Sequence, residues 1–208
     1  GAQVAALAAR TRARRKLLAE VRKSVKTYQA AEAQLARERE RSEAALRRLI
    51  AGAEEERARK RGEGGVAPER TSGAFAGLRG RLPWPVRGQV AGRFGRVQDP
   101  ALKTWTFNRG IEIEVAEGVP VQAVAAGRVE AVDWFRGYGW FALVGHGDGY
   151  YTLYAHLSET AVRIGDRVRA GEGVGMSGNT GTLDQRSRLH FEVLKGSEPE
   201  DPLAWLTR

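Results

Sequence analysis

Residues 1–61 hold no proline and only two glycines, Gly1 and Gly52. A run of that length without a breaker, rich in Ala, Arg, Glu and Leu, predicts one long helix, because these side chains lose little freedom in the helical state. Its apolar positions are sparse. Leu18, Val21, Val25, Tyr28 and Leu35 recur at heptad-like steps, and Leu46, Leu49 and Ile50 follow. The places that should continue the seam fall on Glu32, Arg39 and Ser42. A helix this polar has too little apolar surface to be stable alone. It is expected to be one arm of a coiled coil over residues 1–62, with the second arm elsewhere in the protein or on another chain.

The same stretch carries most of the net charge. Residues 1–63 hold 17 Lys/Arg against 9 Asp/Glu, whereas the remainder holds 17 against 16. A nucleic-acid module concentrates basic charge on the domain that reads the ligand, so no nucleic-acid partner is expected. The basic helix is read as a solvated face, with an anionic membrane or acidic partner surface as the other reading. Cysteine is absent, which excludes disulfides and thiolate metal sites. No run approaches the ~20 apolar residues that span a bilayer. The opening GAQVAALAAR has a helical pattern, not the basic and apolar regions of a signal peptide. A mature fragment with its targeting segment removed is the expectation.

Residues 61–73, RGEGGVAPERTSG, mark a boundary by composition, and a linker is placed at residues 63–81. Within it Phe75 and Leu78 lie three apart in a short amphipathic stretch, residues 72–79, for which Ser72 is a candidate cap. Such a stub must dock on something. From Leu82 onward short β-rich runs (GIEIEV, VPVQAV, GWFALVGH, YYTLYAHL, RLHFEVL) alternate with glycine turns, the texture of an all-β domain. Residues 140–146, the turn Gly147-Asp148-Gly149 and residues 150–156 read as a hairpin.

Several motifs occur in one order. Leu82-Pro83-Trp84-Pro85-Val86 and Gly92-Arg93-Phe94-Gly95 come first, then Asn108-Arg109-Gly110-Ile111-Glu112 and Tyr154-Ala155-His156-Leu157-Ser158. A glycine run from Gly165 to Gly181, Arg188-Leu189-His190-Phe191-Glu192 and Asp201-Pro202 close the series. Together they resemble zinc peptidoglycan endopeptidases of the LytM (M23) type over about residues 82–206. The fold class implied is α+β and multi-domain: an N-terminal coiled-coil helix, then an all-β LytM/M23-type antiparallel β-sandwich at residues 82–208. Active members carry H-x-G-[IV]-D where this chain has Asn108 to Glu112, and H-x-H where it has Arg188 to His190. Carried across, the metal-ligand positions are Asn108, Glu112 and His190, and the catalytic positions are His156 and Arg188.

Zinc favours His, Cys and carboxylate ligands, three of them in a catalytic site. Asn108 offers a weak neutral oxygen, and Arg188 brings a charge that cannot be relieved by deprotonation. An Arg188–Glu112 salt bridge is expected in place of a metal, so neither a cofactor nor catalysis is expected. The three histidines do not form another site. His146 is read as a turn residue, and the hairpin separates it from His156 by ~20 Å. His156 and His190 are read as hydrogen-bonded groove residues, with a partner contact as the alternative for His156. Gly92-x-x-Gly95 and Gly175-x-x-Gly178 lack the strand–helix context of phosphate loops, and Ser177, in GMSGN, lacks the nucleophile-elbow pattern. Of the aromatics crowding residues 134–140, Trp134 and Tyr138, flanking Arg136, are expected to be exposed on a groove wall.

The order helix, linker, degenerate domain resembles the EnvC-like murein hydrolase activators. The resemblance implies a periplasmic protein of cell division whose coiled coil engages an FtsE–FtsX-type membrane complex. Its groove would bind and activate N-acetylmuramoyl-L-alanine amidases, and Phe75 and Leu78 are the expected self-inhibitory contacts in that groove. The alternatives are a peptidoglycan-binding scaffold and an active zinc endopeptidase with altered ligands.

Overall fold

The computed structural model describes residues 2–62, 75–98, 105–182 and 184–208. The breaker-free stretch forms one helix, α1 (Ala2–Gly62). The chain divides into two compact units, Gly1–Arg41 and Ser42–Arg208. The break between the units falls inside α1, which itself ends at Gly62. Residues 63–74, most of the expected linker with Ser72, lie outside the described residues.

In the first unit Leu18, Val21 and Val25 are exposed. In the second, Leu46 and Ile50 are buried and Leu49 is half-buried, against a sheet rather than a coiled-coil arm. Ser42, Leu46, Ile50, Glu54 and Arg57 recur at three to four residues and so share one helix face. Ser42, which interrupts the apolar seam, donates its hydroxyl to the Arg136 carbonyl at 2.8 Å.

The rest of the second unit is antiparallel β. Its strands are β1 (Gln89–Gly92), β2 (Gly95–Gln98), β3 (Trp105–Asn108), β4 (Ile111–Glu114), β5 (Pro120–Gln122) and β6 (Gly127–Phe135). They continue with β7 (Gly139–Gly147), β8 (Tyr150–Thr160), β9 (Arg167–Val168), β10 (Gly173–Ser177), β11 (Arg188–Lys195) and β12 (Glu198–Glu200). The main sheet runs β1-β4-β11-β8-β7-β6-β9, with β10 joining β5 to β8 and β12 on β11. β2 and β3 pair only with each other. The predicted hairpin is present as β7–β8, turning at Asp148 and Gly149, whose φ of 49° and 74° are the left-handed pair a two-residue turn demands.

Side chains alternate across a strand, so the sheet has two apolar faces. One buries Ile111, Ile113, Val144, Tyr154, Phe191 and Trp205. The other buries Tyr138, Phe141, Leu143, Tyr151, Leu153, Ala155 and Leu194, and this second face is the one that Leu46 and Ile50 cover. Burying two such aliphatic side chains stabilises the contact by ~1.5–3 kcal/mol each. Charged groups flank the apolar strip. Arg57 pairs with Glu130, and Glu54 accepts the Tyr151 hydroxyl at 3.4 Å.

Phe75 and Leu78 belong to the first face. Phe75 is buried, its ring 4.4 Å from His146, 5.3 Å from Tyr150 and 5.0 Å from Trp205, and the 3-10 turn Ala76–Leu78 follows it. The expectation that these two residues sit in the groove is therefore corrected: a phenylalanine fixed among three rings is part of the core. His146 is corrected as well. It is buried within β7 and bonds the Ala126 carbonyl and Thr152 Oγ1, both at 2.8 Å, so it is a core residue rather than a turn residue.

Candidate functional site

The five positions singled out in the sequence converge. The register of β4, β11 and β8 sets His190 beside Glu112 on one side and Ala155 on the other. Cross-strand neighbours share a face, so His190 and Glu192 project onto the face that α1 covers. His156 reaches the same place by a bulge. It has φ 62°, sits opposite an irregularity in the β7–β8 register, and donates its backbone N–H to the Tyr138 carbonyl at 2.8 Å. A left-handed residue with a Cβ costs ~1–2 kcal/mol, and bulges commonly re-aim a side chain at a site. Here the ring lies 6.0 Å from that of His190, with Nδ1 2.8 Å from the Thr180 carbonyl. Gly139 lets Thr180 approach, since a Cβ there would stand 2.1 Å from the Thr180 carbonyl oxygen.

His190 is the centre of the arrangement. Its Nδ1 lies 2.7 Å from Glu112 Oε1 and its Nε2 2.9 Å from Glu192 Oε1. Burial alone would discharge the ring, but the two carboxylates outweigh it and raise its pKa to about 10. His190 is thus an imidazolium donating at both nitrogens. Burial likewise opposes charge on Glu112, yet His190, His156 and Arg188 bring it down to about 2. Glu192, fully buried, is held below the usual range against the same burial cost, chiefly by His190 and then Arg109 and Tyr138. Burial and the charged His190 push His156 down to about 4, so it is neutral.

The remaining partners extend this into a chain of alternating charge. Tyr138 donates to Glu192 at 2.9 Å. Arg109 Nε lies 3.6 Å from Glu192 Oε2, and its Nη1 lies 3.8 Å from Glu43 of α1. Arg109 Nε and Glu192 Oε2 have no hydrogen bond, so they attract without close pairing. At the other end Arg188 Nε is 3.9 Å from Glu112, while Arg188 pairs more closely with Asp184. The cation closest to Glu112 is therefore His190, and the expected Arg188–Glu112 bridge is a secondary contact.

These residues do not fit a zinc ion. Asn108 donates its amide to the Arg93 carbonyl at 3.1 Å and accepts from the Gly110 N–H at 3.4 Å. Both His190 nitrogens are engaged by carboxylates, and Glu112 is engaged by His190 with Arg188 3.9 Å away. Among the described residues no three His, Asp or Glu side chains are arranged to hold a metal. The arrangement sets a charged network next to the apolar strip of Phe141, Leu143, Tyr151 and Leu153.

Of the expected wall residues, Trp134 and Arg136 are exposed, whereas Tyr138 is buried at the groove floor with its ring 5.6 Å from His190. Tyr138 is corrected for a physical reason: its hydroxyl has Glu192 as a buried acceptor. Sequence reasoning missed Arg109 and Glu192 as members of the network. Their signal was a charged residue inside each ligand motif, at positions that had no assigned role.

Residues 106–202 match the sequence profile of peptidase family M23. The C-terminal domain is similar to M23 domains. The chain is 36% identical to the murein hydrolase activator EnvC of Escherichia coli over 137 residues, covering 66% of this chain and 32% of that protein. It is 36% identical to the E. coli murein hydrolase activator NlpD, covering 59% and 30%. It is 35% identical to the cell division protein DipM of Caulobacter vibrioides, covering 64% and 22%. The chain thus spans about a third or less of these relatives. Among solved structures, the C-terminal domain is similar to a zinc-containing peptidase from Vibrio cholerae, with 28% identity and a TM-score of 0.55 over 59% of this chain and 39% of that one. Its similarity to LytU gives 29% identity and a TM-score of 0.50, covering 56% and 83%. No helix among the described residues is long and apolar enough to cross a membrane.

The shifted pKa values give the C-terminal domain an expected pH profile. His190 is protonated in the fold up to about 10 against an ordinary 6.5, so its contribution is complete below 6.5 and is lost as pH rises toward 10. His146, chiefly through burial, and His156 are held to about 4, so the fold loses stability as they are forced to protonate between 6.5 and 4. Glu112 adds a further loss as pH falls from 4.5 toward 2. The urea midpoint is expected to peak near pH ~6.5 and fall on both sides. A midpoint that keeps rising to about pH 9 would contradict the charged assignment of His190.

Proposed function

We propose that this chain is a non-catalytic activator of peptidoglycan amidases in cell division, acting in the periplasm, and that its M23 groove is the surface that receives the amidase. One observation carries the reading. The strongest remaining ligand, His190, is committed at both nitrogens to carboxylates, while the adjoining apolar floor is covered by a helix of the chain itself. A groove that accepts the stripe Ser42, Leu46 and Ile50 is shaped for an amphipathic helix. The names of the relatives EnvC and NlpD support the same role.

The resting chain is self-inhibited. Residues 42–57 of α1 hold the groove, in the role first expected of Phe75 and Leu78. Because α1 is one continuous helix, a rearrangement N-terminal to residue 42 can withdraw the occluding turns. The exposed stripe Leu18, Val21 and Val25 is the seam for a second coiled-coil arm and, through it, for an FtsE–FtsX-type membrane complex.

The test uses dye-labelled sacculi and the purified chain. With added zinc and no other protein, no dye is expected to be released. Added to an N-acetylmuramoyl-L-alanine amidase, the chain is expected to raise the amidase rate. Zinc-dependent release by the chain alone would restore the endopeptidase reading and defeat this one.

A further inference from the structure

Charge is unevenly placed along α1. Residues 10–26 hold eight Lys/Arg against one acid, Glu20, whereas residues 27–62 hold nine against seven. The second stretch neutralises itself in part: Glu43 pairs with Arg47 at 3.9 Å and Glu56 with Arg59 at 3.0 Å, at the i,i+4 and i,i+3 spacings of one helix face. The first stretch does the opposite. Arg12 and Lys16, and Arg22 and Lys26, are like charges four apart, and Arg12 and Arg15, and Lys23 and Lys26, are like charges three apart. All six side chains are exposed. Like charges at these spacings weaken a helix, and an anionic surface beside them removes the repulsion.

The cations are also one-sided. At 3.6 residues per turn, Arg12, Lys16, Lys23 and Lys26 fall within an arc of about 80°, centred about 150° round the helix from the exposed stripe Leu18, Val21 and Val25. Glu20 lies outside that arc. In the heptad that sets Leu18 and Val25 at a and Val21 at d, these four cations occupy b and f, on the outer side, while Arg15 and Arg22 occupy e beside the seam. A coiled-coil arm packed on the stripe reaches Arg15 and Arg22 and leaves the other four uncompensated. They run along about 21 Å of one flank of the helix, which suits an extended surface rather than a pocket.

We propose that the Arg12–Lys16–Lys23–Lys26 flank of α1 lies along an anionic phospholipid surface and takes the phosphate oxygens of its headgroups. Charge complementarity carries the inference, which goes beyond the activator reading and does not depend on it. Clusters of this size bind anionic bilayers, each Lys or Arg near the surface raising partitioning about fivefold. An acidic protein arm is the poorer occupant, because the seam on which an arm packs faces away from the flank. The exposed apolar side chains Leu17, Leu18, Val21 and Val25 also point away from it. Contact therefore stays at the headgroups, without insertion, and the stripe is left free while the helix lies on the membrane.

The experiment is cosedimentation of the full chain, at about 0.15 M salt, with vesicles of phosphatidylglycerol and phosphatidylethanolamine or of phosphatidylcholine alone. The wild-type chain is expected to pellet with the first and not with the second, and to be released at about 1 M salt, where screening acts within ~3 Å. The variant Arg12→Gln/Lys16→Gln/Lys23→Gln/Lys26→Gln is expected to partition about a hundredfold less or weaker still. Glutamine preserves helix propensity at these exposed places. The variant Arg37→Gln/Arg48→Gln/Arg163→Gln/Arg169→Gln removes the same charge from exposed positions elsewhere and is expected to bind like the wild type. Equal pelleting by the wild type and the flank variant overturns the proposal. So does an equal loss in both variants, which would mean that net charge alone is read, and so does binding that survives 1 M salt, which would mean insertion. A wild-type chain that ignores the phosphatidylglycerol vesicles overturns it too, and its retention on purified sacculi, lost in the flank variant, would assign the flank to acidic groups of the wall instead.

Discussion

Ile50→Asp is expected, on the activator reading proposed above, to turn the chain into a strong stimulator of an amidase. Ile50 is buried against the strip formed by Phe141, Leu143, Tyr151 and Leu153. An aspartate there loses ~1.5–3 kcal/mol of apolar burial and faces the cost of placing a carboxylate among apolar groups. The helix avoids that cost by leaving. A change of at least ~3 kcal/mol shifts the closed–open balance by about two orders of magnitude. The measurement is dye release from sacculi at a fixed, subsaturating concentration of chain. Leu17→Asp, at an exposed position of the same helix outside the Leu18, Val21 and Val25 stripe, is the control and is expected to change nothing. Equal stimulation by wild type and Ile50→Asp would mean that the helix does not guard the groove.

Glu192→Ala is expected to cost about 3–5 kcal/mol of stability, because removing one member of a buried ion network strands the others. The fully buried carboxylate is shared by His190, Tyr138 and Arg109. Its loss leaves an imidazolium and a guanidinium in the interior. At roughly 2–4 °C per kcal/mol for a unit of this size, the thermal midpoint should fall by about 10 °C. Tyr138→Phe removes only one neutral donor to the same carboxylate and should cost ~1 kcal/mol. Comparable midpoints for the two variants would show that Glu192 does not hold the network together.

The β domain was legible because its motifs are local. Asn108 to Glu112, the YAHLS run and Arg188 to Glu192 keep family spacing, and each motif lies at or next to a strand of the site. The departure from the family's ligand pattern was legible for the same reason: Asn108, Glu112 and Arg188 stand at three of its ligand or catalytic positions. What covers the groove was not legible. Leu46, Leu49 and Ile50 announce an apolar helix face, but a periodic stripe does not name its partner, and a coiled-coil arm and a β-sheet require the same pattern. Tyr138 and Arg109 were obscured because their environment comes from β8 and β11, far away in sequence. His146 was assigned by its distance from a turn, whereas Phe75, about 70 residues earlier in the sequence, decides its surroundings.

If residues 42–57 of α1 occlude the groove as proposed, they also determine how the chain responds to dose. A ligand that binds only the open groove sees its affinity divided by the inverse of the open fraction. If closure is worth ~3 kcal/mol, the open fraction is ~1% and an intrinsically tight partner behaves as one about a hundredfold weaker. Amidase encountered far from the division machinery would then stay below threshold, whereas a signal arriving along α1 lowers that threshold without altering a single atom of the binding surface. On the self-inhibited reading proposed above, gain is stored in the packing of Leu46 and Ile50, and their side-chain volume sets the concentration at which the amidase is engaged.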